Sequence, residues 1–151
     1  MSVQERLKQL GITLAPARQP VANYVGAVRA GDLVFVSGHG PVQNDGSYVT
    51  GKLGRDVTIE QGYEAARLAS LACLATLEQA VGLDSVRRIV KLLGMVNSTP
   101  DFERQPEVVN GASDLLVAVF GEDGRHARSA VGMQSLPSSI AVEIEMVVQV
   151  V

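Results

Sequence analysis

The stretch Arg128–Gln149, RSAVGMQSLPSSIAVEIEMVVQ, decides the reading of the fold. In its second half Val142, Ile144, Met146, Val148 and Val150 fall on one side. Ala141, Glu143, Glu145, Val147 and Gln149 fall on the other, the period of two of a β-strand. In the first half Val131 and Met133 form the apolar set, which predicts Arg128, Ala130, Gly132 and Gln134 on the opposite face. With both apolar sets turned to one core, the pattern predicts an antiparallel hairpin with its turn at Ser135 to Ser139. Gly132 then stands opposite Glu143, Ala130 opposite Glu145 and Arg128 opposite Val147. A guanidinium, two carboxylates and two small side chains would share one surface. An Arg offers a rigid fork of donors to a carboxylate ligand, and the missing bulk at Ala130 and Gly132 would leave room for one. The same pattern also fits a solvated strand face, whose ion pairs contribute ~0–1 kcal/mol each.

The run Arg128-Ser129-Ala130-Val131, then Leu136-Pro137, then Val142-Glu143-Ile144-Glu145, resembles the C-terminal signature of the RidA (YjgF) family of small enamine/imine deaminases. The separation of Arg128 from Glu143 is the same as in that family. Asn23-Tyr24-Val25, and Ser37-Gly38 followed by Pro41, match its first hairpin. Ile89-Val90-Lys91, Asp101-Phe102 and Asn110 match later segments in order. The likeness runs over roughly residues 20 to 151. Some positions depart: Ala130 stands where the family often has Cys, and His39 follows Ser-Gly where a Gln is usual. The first ~20 residues and the stretch Gly121 to His126 have no counterpart in the short deaminases, so the chain resembles a longer branch.

The resemblance implies an α+β, chorismate-mutase-like two-layer sandwich with two helices on one face of a mixed sheet, assembled as a homotrimer with ligand clefts between subunits. It implies Arg128 and Glu143 as catalytic residues. Tyr24, Asn110, Ala130 and His39 would complete a pocket for a small carboxylate-bearing molecule. The implied activity is hydrolysis of 2-enamino or 2-imino acids to a 2-oxo acid and ammonia, with no metal or organic cofactor. The alternative is a non-catalytic trimer that binds or senses a small carboxylate through the same Arg128.

Bulk properties narrow the classes further. A chain of 151 residues with 46% hydrophobic content predicts a single domain over 1–151, with residues 1–20 as an N-terminal helix and connector. The net charge is −3, the 13 Lys and Arg are scattered, and three Tyr, three Phe and no Trp offer no stacking platform. No nucleic-acid partner is therefore expected, despite ribonuclease labels within the family. His39 and His126 are 87 positions apart and give no metal-ligand spacing. The lone Cys73 lies in an Ala/Leu-rich helical run and reads as buried and inert. With no apolar run near ~20 residues, the expectation is a cytoplasmic protein with no membrane partner.

Along the chain, Ser2 caps a short amphipathic helix that Gly11 ends, and Pro16 and Pro20 mark an extended connector. A hairpin turns at Arg29-Ala30-Gly31-Asp32. Thr58 with Gln61 forms a capping box opening a helix to Val81, stopped by Gly82. A strand follows near Arg88–Val96, with Gly94 as a candidate bulge, then a helix from about Pro106 to Phe120. Its buried face would use Val108 or Val109, Ala112, Leu115, Leu116 and Val119.

Overall fold

The computed structural model describes all 151 residues. Helix α1 (Val3–Gln9) begins at a Ser2 capping box, and α2 (Ile59–Val81) at the Thr58–Gln61 box. In each box the cap hydroxyl accepts the N3 amide while the N3 side chain accepts the cap amide, so two otherwise orphaned donors are satisfied. Strands β1 (Ala27–Ala30) and β2 (Leu33–His39) form a tight hairpin across Gly31, whose φ of 64° suits a residue without Cβ. Strand β3 (Val86–Asn97), helix α3 (Gln105–Phe120), β4 (Ala127–Met133) and β5 (Val142–Val150) complete the chain. A 3-10 turn, Gly121–Gly124, joins α3 to β4.

The sheet order is β1-β2-β5-β3-β4, with β3 and β4 parallel and the other neighbours antiparallel. Both long helices cover one face. Their shared core takes in Ala65, Ala69 and Leu74 from α2, Val109 and Leu116 from α3, and Ile89, Leu92, Ile144 and Val148 from the sheet, all fully buried. The α+β two-layer sandwich with a mixed sheet is thus as expected, as are the bounds of α2.

The C-terminal hairpin is not. Strand β3 lies between β4 and β5, so Arg128 is beside Leu92, Ala130 beside Gly94 and Gly132 beside Val96, while Glu143 pairs with Met95 and Glu145 with Leu93. The reason is topological. Strand β3, helix α3 and β4 form a crossover unit, which sets β4 parallel against one edge of β3. The chain then passes over the end of β3 and returns as β5 on its other edge. Asn97 anchors that passage, its amide donating to Ala141 O at 2.9 Å and its Nδ2 to Ile140 O at 3.1 Å.

The phase of β4 is also opposite to the expectation. Laterally paired residues share a face, so Arg128 and Ala130 point with buried Leu92 and Ile144 toward the helices, whereas Val131 lies 37% exposed on the open face beside Met95 and Glu143. Close packing explains the inversion. A Cβ at Gly94 would overlap the Val109 side chain of α3, so the sheet approaches the helix where Gly94 and Ala130 are small. Gly94 is regularly paired, and the irregularities of β3 fall between Val86 and Arg88 and between Ile89 and Lys91.

Candidate functional site

The expected site residues fall into two groups on different parts of the chain. Arg128 and Asn110 form the first, at the β4 edge and on the helix side. The Arg128 guanidinium lies against α3, where Nη1 donates to Asn110 Oδ1 at 2.9 Å and to Ser113 Oγ at 3.1 Å, and Nη2 donates to Pro106 O at 3.1 Å. Of the five N–H donors of an arginine, the Nε–H and one on Nη2 remain. Adjacent donors of that kind match the two oxygens of a carboxylate. Asn110 sits in the second turn of α3. Ala130 packs beneath, against the core.

Two further side chains belong to this group. His126 Nδ1 lies 2.7 Å from Gly124 O, and His126 Nε2 lies 2.9 Å from Ser113 Oγ. Burial, then the nearby Arg128 charge, holds the His126 pKa below the ordinary histidine value. The sequence reading noted His126 as the end of the added stretch from Gly121 and as a histidine without metal-ligand spacing, and passed over Ser113. A signal was present: Asn110 and Ser113 are three apart on one helix face, and His126 and Arg128 are two apart at the start of a strand.

The second group, Glu143, Tyr24 and His39, gathers around the end of β2 but on both faces of the sheet: Glu143 is on the open face, whereas His39 and Tyr24 line a cavity on the α2 side that Glu143 does not enter. Glu143 is half-buried on the open face, and neither of its oxygens accepts a hydrogen bond from the chain. Burial, and then repulsion from Glu145, raises its pKa above the usual carboxylate value. Its carboxyl lies so close over Gly38 that a Cβ there would collide with it. Within one chain Arg128 and Glu143 therefore project from opposite faces of the sheet. The expected shared surface does not exist inside a protomer.

His39 is turned to α2, with Nδ1 at 2.5 Å from Ser37 O and Nε2 at 2.7 Å from Thr76 Oγ1. Desolvation lowers its pKa. Tyr24, 48% exposed, and His39 line a cavity of about 250 Å³. The connector from Thr13 to Val21 walls one side of that cavity, and Leu68 and Leu71 of α2 another. Arg18 is the only fully charged side chain in the lining. It lies over the Tyr48 ring at 5.2 Å and donates to Gly46 O at 3.1 Å, which ties the connector to the body. Arg18 and Tyr48 were not singled out from the sequence.

No group of three or more His, Cys, Asp or Glu side chains is placed to hold a metal ion. No helix is long and apolar enough to cross a membrane. Cys73 is fully buried, and burial raises its thiol pKa strongly, as expected of an inert cysteine.

Comparison with known proteins agrees with this fold. Residues 4–146 match the family model described as "YjgF/chorismate_mutase-like, putative endoribonuclease". Protein TCP17 of Trypanosoma cruzi is 46% identical over 149 residues, covering 97% of this chain and 93% of its own. The crystal structure of an Agrobacterium tumefaciens protein of unknown function superposes with a TM-score of 0.91 at 45% identity, covering 99% of this chain and 92% of that one. A structure from Shewanella oneidensis, called a putative endoribonuclease, gives a TM-score of 0.95 at 32% identity and covers 99% and 100% of the two chains. With the family model matched over residues 4–146 and the whole fold superposing on these structures, the chain belongs to the YjgF/chorismate mutase-like family.

Proposed function

We propose that this chain is a hydrolytic deaminase of small 2-imino and 2-enamino acids. The observation that carries the reading is the Arg128 guanidinium, held by three oxygens of α3 with two donors on neighbouring nitrogens left over. Those donors receive the substrate carboxylate through paired charge-assisted hydrogen bonds. Glu143 is the general base. Burial and the neighbouring Glu145 raise its pKa, which makes it a stronger proton acceptor than an ordinary carboxylate. It takes a proton from a water whose oxygen bonds to the imine carbon. The tetrahedral adduct then breaks its C–N bond, the water's protons leave on nitrogen as ammonia, and the carbonyl of the 2-oxo acid remains.

Because Arg128 and Glu143 face opposite sides within a protomer, this chemistry needs a second copy. The proposed assembly is a homotrimer in which the β4 edge of one copy, with Arg128 and Asn110, meets the Glu143, Tyr24 and His39 end of the next. The open sheet face supports such a contact. Val28, Phe35 and Val131 are 55%, 48% and 37% exposed there, an apolar surface suited to a partner. The cytoplasm is the compartment this reading assigns.

The same separation favours one rival, a trimeric carboxylate binder, since the Arg128 anchor stands complete without Glu143. Turnover and ligand affinity of Glu143→Gln decide between them. The deaminase reading expects turnover to fall by about 10²–10⁴-fold, the usual contribution of a general base, with binding of a 2-oxo acid retained. Unchanged turnover would overturn Glu143 as the base, and binding by a wild type without activity on any imino acid would establish the binder.

A further inference from the structure

The Arg128 guanidinium is not held by a countercharge. Its Nη1 bonds two neutral oxygens, and one of them, Ser113 Oγ, is also in contact with a histidine nitrogen. The direction of each hydrogen bond in this chain is fixed by elimination. The Gly124 carbonyl can only accept, so His126 Nδ1 carries its proton. In the neutral ring Nε2 is then an acceptor, and the Ser113 hydroxyl must donate to it at 2.9 Å. With its hydrogen so committed, Ser113 Oγ presents a lone pair to Arg128 Nη1 at 3.1 Å. Burial and the Arg128 charge both disfavour protonation of His126, so the ring is neutral at pH 7. The turn's other charges are Glu122, Asp123 and Arg125, of which Glu122 and Arg125 lie 3.8 Å from each other, and Asp114 of α3 accepts from Tyr63.

We propose that Ser113 and His126 are positioning residues for Arg128, a one-way relay from the Gly124 carbonyl through the imidazole and the hydroxyl. The relay fixes the plane of the guanidinium and keeps its Nε–Nη2 edge turned to the ligand. The inference rests on the reading of Arg128 as a carboxylate anchor. It goes beyond that reading by assigning the anchor's orientation to two residues that touch no substrate. A Ser–His pair at this distance also suggests a nucleophile. Here the hydroxyl oxygen also accepts from Arg128 Nη1 at 3.1 Å, which couples the pair to the guanidinium and gives it an orienting role.

A restrained guanidinium meets a carboxylate with less ordering left to complete, and removing the restraint weakens binding without abolishing it. The test uses the full-length protein and pyruvate as the probe. Calorimetry should give a Kd about 5- to 10-fold higher for Ser113→Ala and for His126→Phe. Ser113→Thr, which keeps the hydroxyl, should bind within about 2-fold of wild type, and the double variant should be no worse than either single one. In the imine assay the loss should fall on KM, with kcat little changed, since neither residue touches the reacting atoms. Nitrogen NMR of the histidine ring provides a readout independent of ligand: His126 should be the Nδ1–H tautomer in wild type.

An Nε2–H tautomer, or pyruvate affinity unchanged in Ser113→Ala, overturns the relay while leaving Arg128 as the anchor. Wild type that binds no pyruvate and turns over no imine overturns the parent reading and, with it, the role given to the relay.

Discussion

Replacing Gly38 by Ala tests the link between the sheet and the proposed base most sharply. In the end of β2, an Ala would ordinarily be neutral or stabilising, since Gly loses roughly 0.5–1 kcal/mol more than Ala in backbone entropy on folding. At this position the new methyl would occupy the space now filled by the Glu143 carboxylate. The collision involves the tip of a flexible side chain, so Glu143 swings away at the cost of about 0.5–1.5 kcal/mol for an imposed rotamer change. The two effects nearly cancel, and Tm should move by no more than about 3 °C. Activity should respond far more. A displaced general base forfeits much of its 10²–10⁴-fold contribution, so kcat for imine hydrolysis should fall by at least about 10-fold in a normally folded protein. Combining Gly38→Ala with Glu143→Gln should add almost nothing to the loss in Glu143→Gln alone, because both act through the same carboxylate. Wild-type kcat in Gly38→Ala, or losses that multiply in the double variant, would refute the placement of Glu143 as base.

Two further expectations concern stability. Gly111→Ala reverses the usual sign of a Gly→Ala change in a helix, worth about 1 kcal/mol in favour of Ala. The new Cβ would run into the Tyr63 backbone carbonyl of α2, which cannot rotate aside. The helices must separate, at a cost of about 1–3 kcal/mol; a lowered urea midpoint at unchanged slope is expected, and a raised one contradicts the packing. The pH dependence follows from His39 and His126, both with pKa values lowered mainly by burial. Between those values and the unfolded value of about 6.5 the unfolded chain binds more protons, so stability rises with pH through that window and levels off above it. The two histidines thus lower urea midpoints at pH 5.5 relative to pH 7.5, against an opposite contribution from Glu143, whose pKa is raised; His39→Gln and His126→Gln should each make the midpoint at pH 5.5 higher relative to that at pH 7.5, and a pH profile unchanged in both variants would contradict the buried neutral rings.

The sequence spelled out the elements that end in explicit signals. The cap at Ser2, the capping box at Thr58, the stops at Gly11 and Gly82, and the alternation of β5 are local features, and each is where the pattern put it. What could not be read was non-local. A parallel partner for β4 is supplied by β3, more than thirty residues upstream, and nothing in the alternation of Arg128–Met133 distinguishes it from a hairpin with β5. Hydropathy then misled on the phase of β4, because Val131 outweighs Ala130 on any scale, although a sheet that packs tightly on a helix buries the small residue. Arg128 and Glu143 were singled out by residue type and resemblance, and their burial, partners and faces follow from topology alone. Ser113 and His126 were passed over because a serine within a helix and a histidine in a polar turn acquire meaning only when α3 lies across β4.

The central claim is that Arg128 anchors the carboxylate of an imine that the protein hydrolyses. Release of ammonia and 2-oxo acid from freshly generated 2-iminopropionate, corrected for background hydrolysis, tests it most directly in wild type and Arg128→Ala. The account predicts acceleration by wild type and its loss, by at least about 100-fold in kcat/KM, when two charge-assisted hydrogen bonds of roughly 1.5–3 kcal/mol each are removed. Full turnover by Arg128→Ala would contradict it.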